Sequence, residues 1–312
     1  DAYPLWHAGD DVARAAEFAM NHDMMRSFKD QPFLLMESTP SQVNWKPINK
    51  LKRPGMHLLS SMQALAHGSQ SVLYFQWRKG RGGVEMFHGA VVDHVGTKET
   101  RIFNTVKRTG ELLKIIDEVA GSNVVSRGAL VLDWENMWAL DDCQGYANVG
   151  KKYMETCYSY HRVLWEKGID CDIVSPKADL SGYKLVIAPM LYLTDETTAK
   201  NLRSYVENGG TLHATYMLGT VNEDDLCYLG GMPGAGLDQV FGIVAEEIDT
   251  LYPHERQHAA LGGESHEIID YCEYIHPTTA KVIAEYTDSF FEAPAAVTVN
   301  GFGKGKAVYQ AC

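Results

Sequence analysis

The sequence has 312 residues, 45% of them hydrophobic and 22% charged, with a net charge of -12. Those proportions are ordinary for a globular chain with room for two domains, and the surplus negative charge argues against nucleic acid or an anionic membrane surface as partner. Six cysteines lie far apart at Cys143, Cys157, Cys171, Cys227, Cys272 and Cys312. They form no CxxC pair, so they suit a reducing cytosol better than a disulfide framework or a zinc knuckle. No apolar run is long enough to span a bilayer, and a cytoplasmic location is expected.

In chain order, residues 12–28 have helical periodicity and FLLME (33–37) is a short apolar strand. Residues 56–68 form a helix ending in glycine, SVLYFQWR (71–78) a second strand, and 97–121 a long amphipathic helix with Thr97 as N-cap. Strands alternating with helices predict parallel pairing. Two strands do not close a sheet, so residues 1–121 are expected to be the C-terminal portion of a (β/α)8 barrel, a fold of about 250 residues. The chain starts without Met and stops inside a strand pattern, and is expected to be the middle of a longer protein.

A second series begins after a boundary at 121–126. GALVLDWEN (128–136), helix 153–168, CDIVSP (171–176), the apolar strand 183–193, helix 197–210 and strand 211–217 predict a doubly wound, flavodoxin-like or glutamine-amidotransferase-like α/β domain over residues 122–312. AVTVNGFGKGKAVYQ near the end is a hairpin pattern. The domain has neither a fingerprint glycine loop after its first strand nor a GxSxG elbow. GGMPGAG (230–236) and GFGKGK (301–306) are turns, and no cofactor is expected. Trp134, Trp138 and Trp165 suit either interface anchors or core packing.

Barrel enzymes carry catalytic groups at the C-terminal ends of their strands. Glu37 holds such a position, and the loop after the next strand brings Glu85 and His88, with Trp45, Phe75 and Trp77 as aromatic platforms. Carboxylates beside aromatic faces suit a sugar, and a glutamate is the nucleophile of retaining glycosidases. On pattern alone a solvated strand-end charge explains Glu37 equally well. Core packing would likewise account for Trp45 and Phe75, and a local ion pair for Glu85 and His88.

The run MESTPSQVNW, followed at a fixed distance by EMFHGA, resembles the later barrel half of the family 42 glycoside hydrolases, the bacterial β-galactosidases, and the similarity continues through the second domain. The resemblance implies that Glu37 is the nucleophile and that Trp45, Phe75, Glu85 and His88 contact galactose. It implies a retaining hydrolysis of β-galactosides through a galactosyl-enzyme, a trimerisation role for the second domain, and hence a homotrimer. The family's general acid/base follows an asparagine at the end of an earlier strand. No such segment occurs here, so the chain by itself is expected to be inactive, since protonation of the leaving group is worth about 10²–10⁴-fold.

Two other readings compete. One is a non-catalytic α/β oligomerisation or interaction module. The other is a zinc peptidase, because His254-Glu255-Arg256-Gln257-His258 satisfies HExxH. Pro253 and the Gly262-Gly263 pair leave little room for the helix that motif needs, and a chance match on a short exposed helix is the expectation.

Overall fold

The computed structural model describes residues 1–4, 9–290 and 295–312. The chain divides into two compact units, Asp1–Val125 with Arg162–Asp172, and Ser126–His161 with Ile173–Cys312.

In the first unit, helix α1 (Asp11–Ser27) starts where the Asp10 carboxylate accepts from the Val12 and Ala13 amides, filling donors that a helix start leaves open. Strand β1 (Phe33–Ser38), helix α2 (Met56–Ala66), strand β2 (Ser69–Tyr74) and helix α3 (Arg101–Ile115) come next. Helix α3 begins three residues later than expected. Its N-cap is Thr100, whose hydroxyl accepts from the Phe103 amide, and Thr97 lies outside it. Strands β1 and β2 are parallel, pairing Phe33 with Ser69 and Ser38 with Tyr74. The second strand is shorter than its apolar pattern. The chain turns at Phe75, and only an isolated bridge from Arg78 to Val92 continues the pairing.

The second unit holds β3 (Gly128–Val131), α4 (Trp134–Asp142), α5 (Tyr153–Glu166), β4 (Cys171–Val174), β5 (Leu185–Ala188), α6 (Glu196–Glu207) and β6 (Thr211–Thr215), although α5 and β4 run across the division between the units. The GGMPGAG stretch forms turns and bends with one isolated bridge, Met232 to Ala245, and a five-residue helix α7 (Leu237–Phe241) follows with Gly236 as its N-cap. Strands β7 (Ile243–Thr250), β8 (Gln257–Leu261), β9 (Glu264–Ile268), β10 (Tyr271–Pro277), β11 (Lys281–Tyr286), β12 (Ala295–Phe302) and β13 (Gly305–Gln310) complete the chain.

Nine strands form one mixed sheet in the order β4-β3-β5-β6-β13-β12-β11-β8-β9, while β7 and β10 pair separately. Its first five strands run in the flavodoxin-like order 2-1-3-4-5. Strand β13 closes that set by lying parallel to β6 and antiparallel to β12, the hairpin read from the sequence. The core fills with Val131, Val186, Leu202, Val206, Leu212, Phe241 and Tyr309, which explains why β5 is a continuous apolar run.

The HExxH motif does not form a helix. His254 lies in a turn and His258 in β8, so no single helix face carries both. The Glu255 carboxylate accepts from the Tyr252 amide (2.8 Å), and His258 Nδ1 lies 2.8 Å from Asp288. Among the described residues no group of three or more His, Cys, Asp or Glu is placed to hold a metal.

Candidate active site

Glu37 ends β1 at its C-terminal side, one residue before Ser38. The first residues of the chain run beside it. The Ala2 amide donates to the Glu37 carbonyl (3.0 Å), which places the Tyr3 side chain against the Glu37 carboxylate. The Tyr3 hydroxyl donates to Oε1 of Glu37.

Tyr3 is also the hub of an aromatic cluster. Its ring meets Trp45 edge-on at 5.7 Å between centroids and His88 at 5.9 Å. His88 in turn meets Phe75 edge-on at 4.9 Å. Such edge-to-face pairs are worth about 0.5–1.5 kcal/mol each beyond the area they bury. Burial first, then the Glu37 hydrogen bond and the charges of Glu37 and Glu85, push the Tyr3 pKa far up. Tyr3 therefore remains a donor at any working pH, and Glu85 lies within electrostatic reach of it.

The loops that carry these groups are held by backbone bonds. The Phe75 amide donates to the Ser38 carbonyl (2.9 Å), fixing the aromatic residue one step beyond β2 beside the end of β1. The Gly89 amide donates to the Gln42 carbonyl (2.8 Å) and Gln42 Nε2 to the Phe87 carbonyl (3.3 Å), so the loop bearing His88 docks on the loop bearing Trp45. A glycine is required at 89, because a Cβ there would stand 2.5 Å from Thr39 Oγ1 and 2.7 Å from the Gln42 carbonyl oxygen.

His88 is buried, with Nδ1 3.1 Å from the Gly89 carbonyl oxygen. A carbonyl only accepts, so Nδ1 carries the proton there. Trp45 is 52% exposed, with the Lys46 ammonium 4.8 Å above its ring. Glu85 is exposed in the turn closed by the His88 amide on the Glu85 carbonyl (3.0 Å). Trp77 is 65% exposed.

The structure thus gathers Glu37, Trp45, Phe75 and His88 around Tyr3, with Glu85 at the edge. Sequence reasoning missed Tyr3. It lies in a segment without periodicity, and its partner is 34 residues away. The non-glycine positions with positive φ after β5 and β6 are Met190 and Met217, neither a nucleophile.

Two parallel strands alternating with helices, followed by a flavodoxin-like sheet, fit the C-terminal part of a (β/α)8 barrel with an appended α/β domain. The family model described as "Beta-galactosidase" matches residues 1–116, and the one described as "Beta-galactosidase trimerisation domain" matches residues 126–312. The chain belongs to glycoside hydrolase family 42. Beta-galactosidase BglY of Alicyclobacillus acidocaldarius is 47% identical over 319 residues, an alignment covering 100% of this chain and 46% of that protein. Among solved structures, Gan42B, a GH42 beta-galactosidase from G. stearothermophilus, is 48% identical with a TM-score of 0.96, covering 100% of this chain and 46% of that one. The beta-galactosidase of Bacillus circulans sp. alkalophilus is 38% identical with a TM-score of 0.94 and the same coverage. The chain thus spans about half the length of the relatives it matches.

Proposed function

We propose that this chain carries the nucleophile side of a retaining β-galactosidase site. Glu37 attacks the anomeric carbon of a terminal β-galactoside, the glycosidic bond breaks, and water then hydrolyses the galactosyl-glutamate ester. The observation that supports this most is the Tyr3 hydroxyl on the Glu37 carboxylate. It holds one oxygen and leaves the other to face the sugar. Trp45 and Phe75 supply apolar walls for the pyranose C–H faces, and Glu85 and His88 bond its hydroxyls. Retention needs a second carboxyl group roughly 5–5.5 Å from the nucleophile, and we assign that role to no residue of this sequence.

We further propose that the second domain assembles a homotrimer, as the name of its family model suggests, and that the protein works in the cytosol, where six cysteines outside any disulfide are at home. Trp134 and Trp138, 41% and 62% exposed on α4, suit an assembly face better than a core.

Treatment with a 2,4-dinitrophenyl 2-deoxy-2-fluoro-β-galactoside tests the catalytic reading. Its leaving group needs little acid assistance, so a galactosyl adduct mapped to Glu37 by peptide mass is expected. An adduct on another residue overturns the assignment.

A further inference from the structure

We propose that Lys52 is a positioning residue for the Glu37 site, its ammonium group pinning the strand-end loop 39–43 that joins the nucleophile to both walls of the sugar pocket. The proposal rests on the reading of Glu37 as nucleophile.

Lys52 is only 4% exposed, and its Nζ donates to the Thr39 carbonyl at 2.7 Å, two residues beyond Glu37. Thr39 in turn organises the loop. Its hydroxyl donates to the Gln42 carbonyl (3.1 Å) and lies 3.4 Å from the Ser41 amide. The same Gln42 carbonyl receives the Gly89 amide (2.8 Å), next to His88. One ammonium group therefore fixes one carbonyl, and through it the spacing of Glu37, Trp45 and His88. Lys52 also lines small cavities with Tyr3, Pro4 and Ser38, next to the cluster.

Removing an ammonium from water is costly, and an apolar side chain of the same length would fill the space more cheaply. Burial pushes the Lys52 pKa down to about 8 and is the sole cause of the shift. The titratable groups that face it are His57 on α2 with its partner Tyr74 on β2, His22 on α1 across the cavity, Tyr3, and Lys50 on its own loop. Burial lowers His57 to about 3 and His22 to about 4, and raises Tyr74 to about 12. Of Lys52, His57, His22 and Tyr74, Lys52 is then the one whose charge changes just above neutrality. Above that point the amine is neutral, and its bond to Thr39 loses the charge assistance that roughly doubles the strength of a hydrogen bond.

The test compares the unsubstituted protein, as its natural gene encodes it, with its Lys52→Met and Lys52→Arg variants. The readouts are circular dichroism and the rate of Glu37 labelling by the 2,4-dinitrophenyl 2-fluorogalactoside, whose leaving group needs little acid assistance, from about pH 6 to about pH 10. The unsubstituted protein is expected to label more slowly as pH rises through about 8. Lys52→Met is expected to fold, to label about 10²-fold more slowly, and to lack that alkaline limb. Lys52→Arg, charged throughout, is expected to recover part of the rate and to move the limb upward. A Lys52→Met protein with unchanged rate and limb overturns the proposal. If that variant does not fold, a Lys52→Arg profile still falling near 8 overturns it instead. Absence of any Glu37 adduct in the unsubstituted protein overturns the catalytic reading, and the proposal with it, before the variants are compared.

Discussion

The hydroxyl of Tyr3 donates to Oε1 of Glu37 across 34 residues of sequence. Hydrogen bonds to charged groups are worth about 1.5–3 kcal/mol, which corresponds to roughly 10- to 100-fold in rate. Tyr3→Phe keeps the ring and its edge-on contacts with Trp45 and His88 but removes that bond. We expect kcat/KM on a β-galactoside to fall by that factor while circular dichroism shows the fold retained. Equal activity in Tyr3→Phe would show that the bond does not orient Glu37 for the proposed attack.

Gly89→Ala tests the docking of the two site loops. The added methyl group would lie 2.5 Å from Thr39 Oγ1 and 2.7 Å from backbone oxygen of Gln42. The backbone cannot yield as a flexible side-chain tip would, so His88 and its loop must move. Overpacking of this kind costs about 1–3 kcal/mol. The expected result is a lower melting temperature together with slower labelling of Glu37, read by calorimetry and intact mass.

In the second domain Glu273 is buried, its carboxylate accepting from the Tyr309 hydroxyl (2.5 Å) and the Met217 amide (3.1 Å). Burial dominates and pushes its pKa from 4.5 up to about 7. Between those two values the folded chain holds a proton that the unfolded chain has released, so the contribution of Glu273 to stability falls as pH rises and is lost above about 7. The buried His22 and His57, with lowered pKa values, pull the opposite way at lower pH. The comparison with Glu273→Gln is therefore a difference measurement. The melting temperature of the variant minus that of the unsubstituted protein should increase from about pH 5 to about pH 8. A difference independent of pH would contradict this account.

Arg26 is 2% exposed in α1 and bonds Asp23 (2.5 Å), Asp172 (2.7 Å) and the carbonyls of His67 and Cys171 (both 3.2 Å). Removing one partner of a buried ion pair strands the other charge, at a cost of about 3–5 kcal/mol. Arg26→Ala is expected to lower the unfolding free energy by that amount, measured by urea denaturation.

Much of this molecule was legible in its amino acids. The helices over 12–28, 56–68 and 153–168, the strand ending in Glu37, and the terminal hairpin follow from periodicities of 3.6 and 2, which are properties of neighbouring residues. So does the position of Trp45, Glu85 and His88 in loops after strand ends, whereas Phe75, read as part of the second strand, lies just beyond it. HExxH illustrates the limit of a short motif, because the same five residues that satisfy it on a helix form a turn and the start of β8. Tertiary structure alone decided that Tyr3 faces Glu37 and that β13 lies beside β6. It also decided that Lys52, within the polar run NKLKR, is buried under the site rather than solvated. The physical reason is common to all three. Each depends on a hydrogen bond or burial imposed by residues far along the chain, and a side chain's local pattern carries no record of which distant carbonyl, carboxylate or strand edge will close over it.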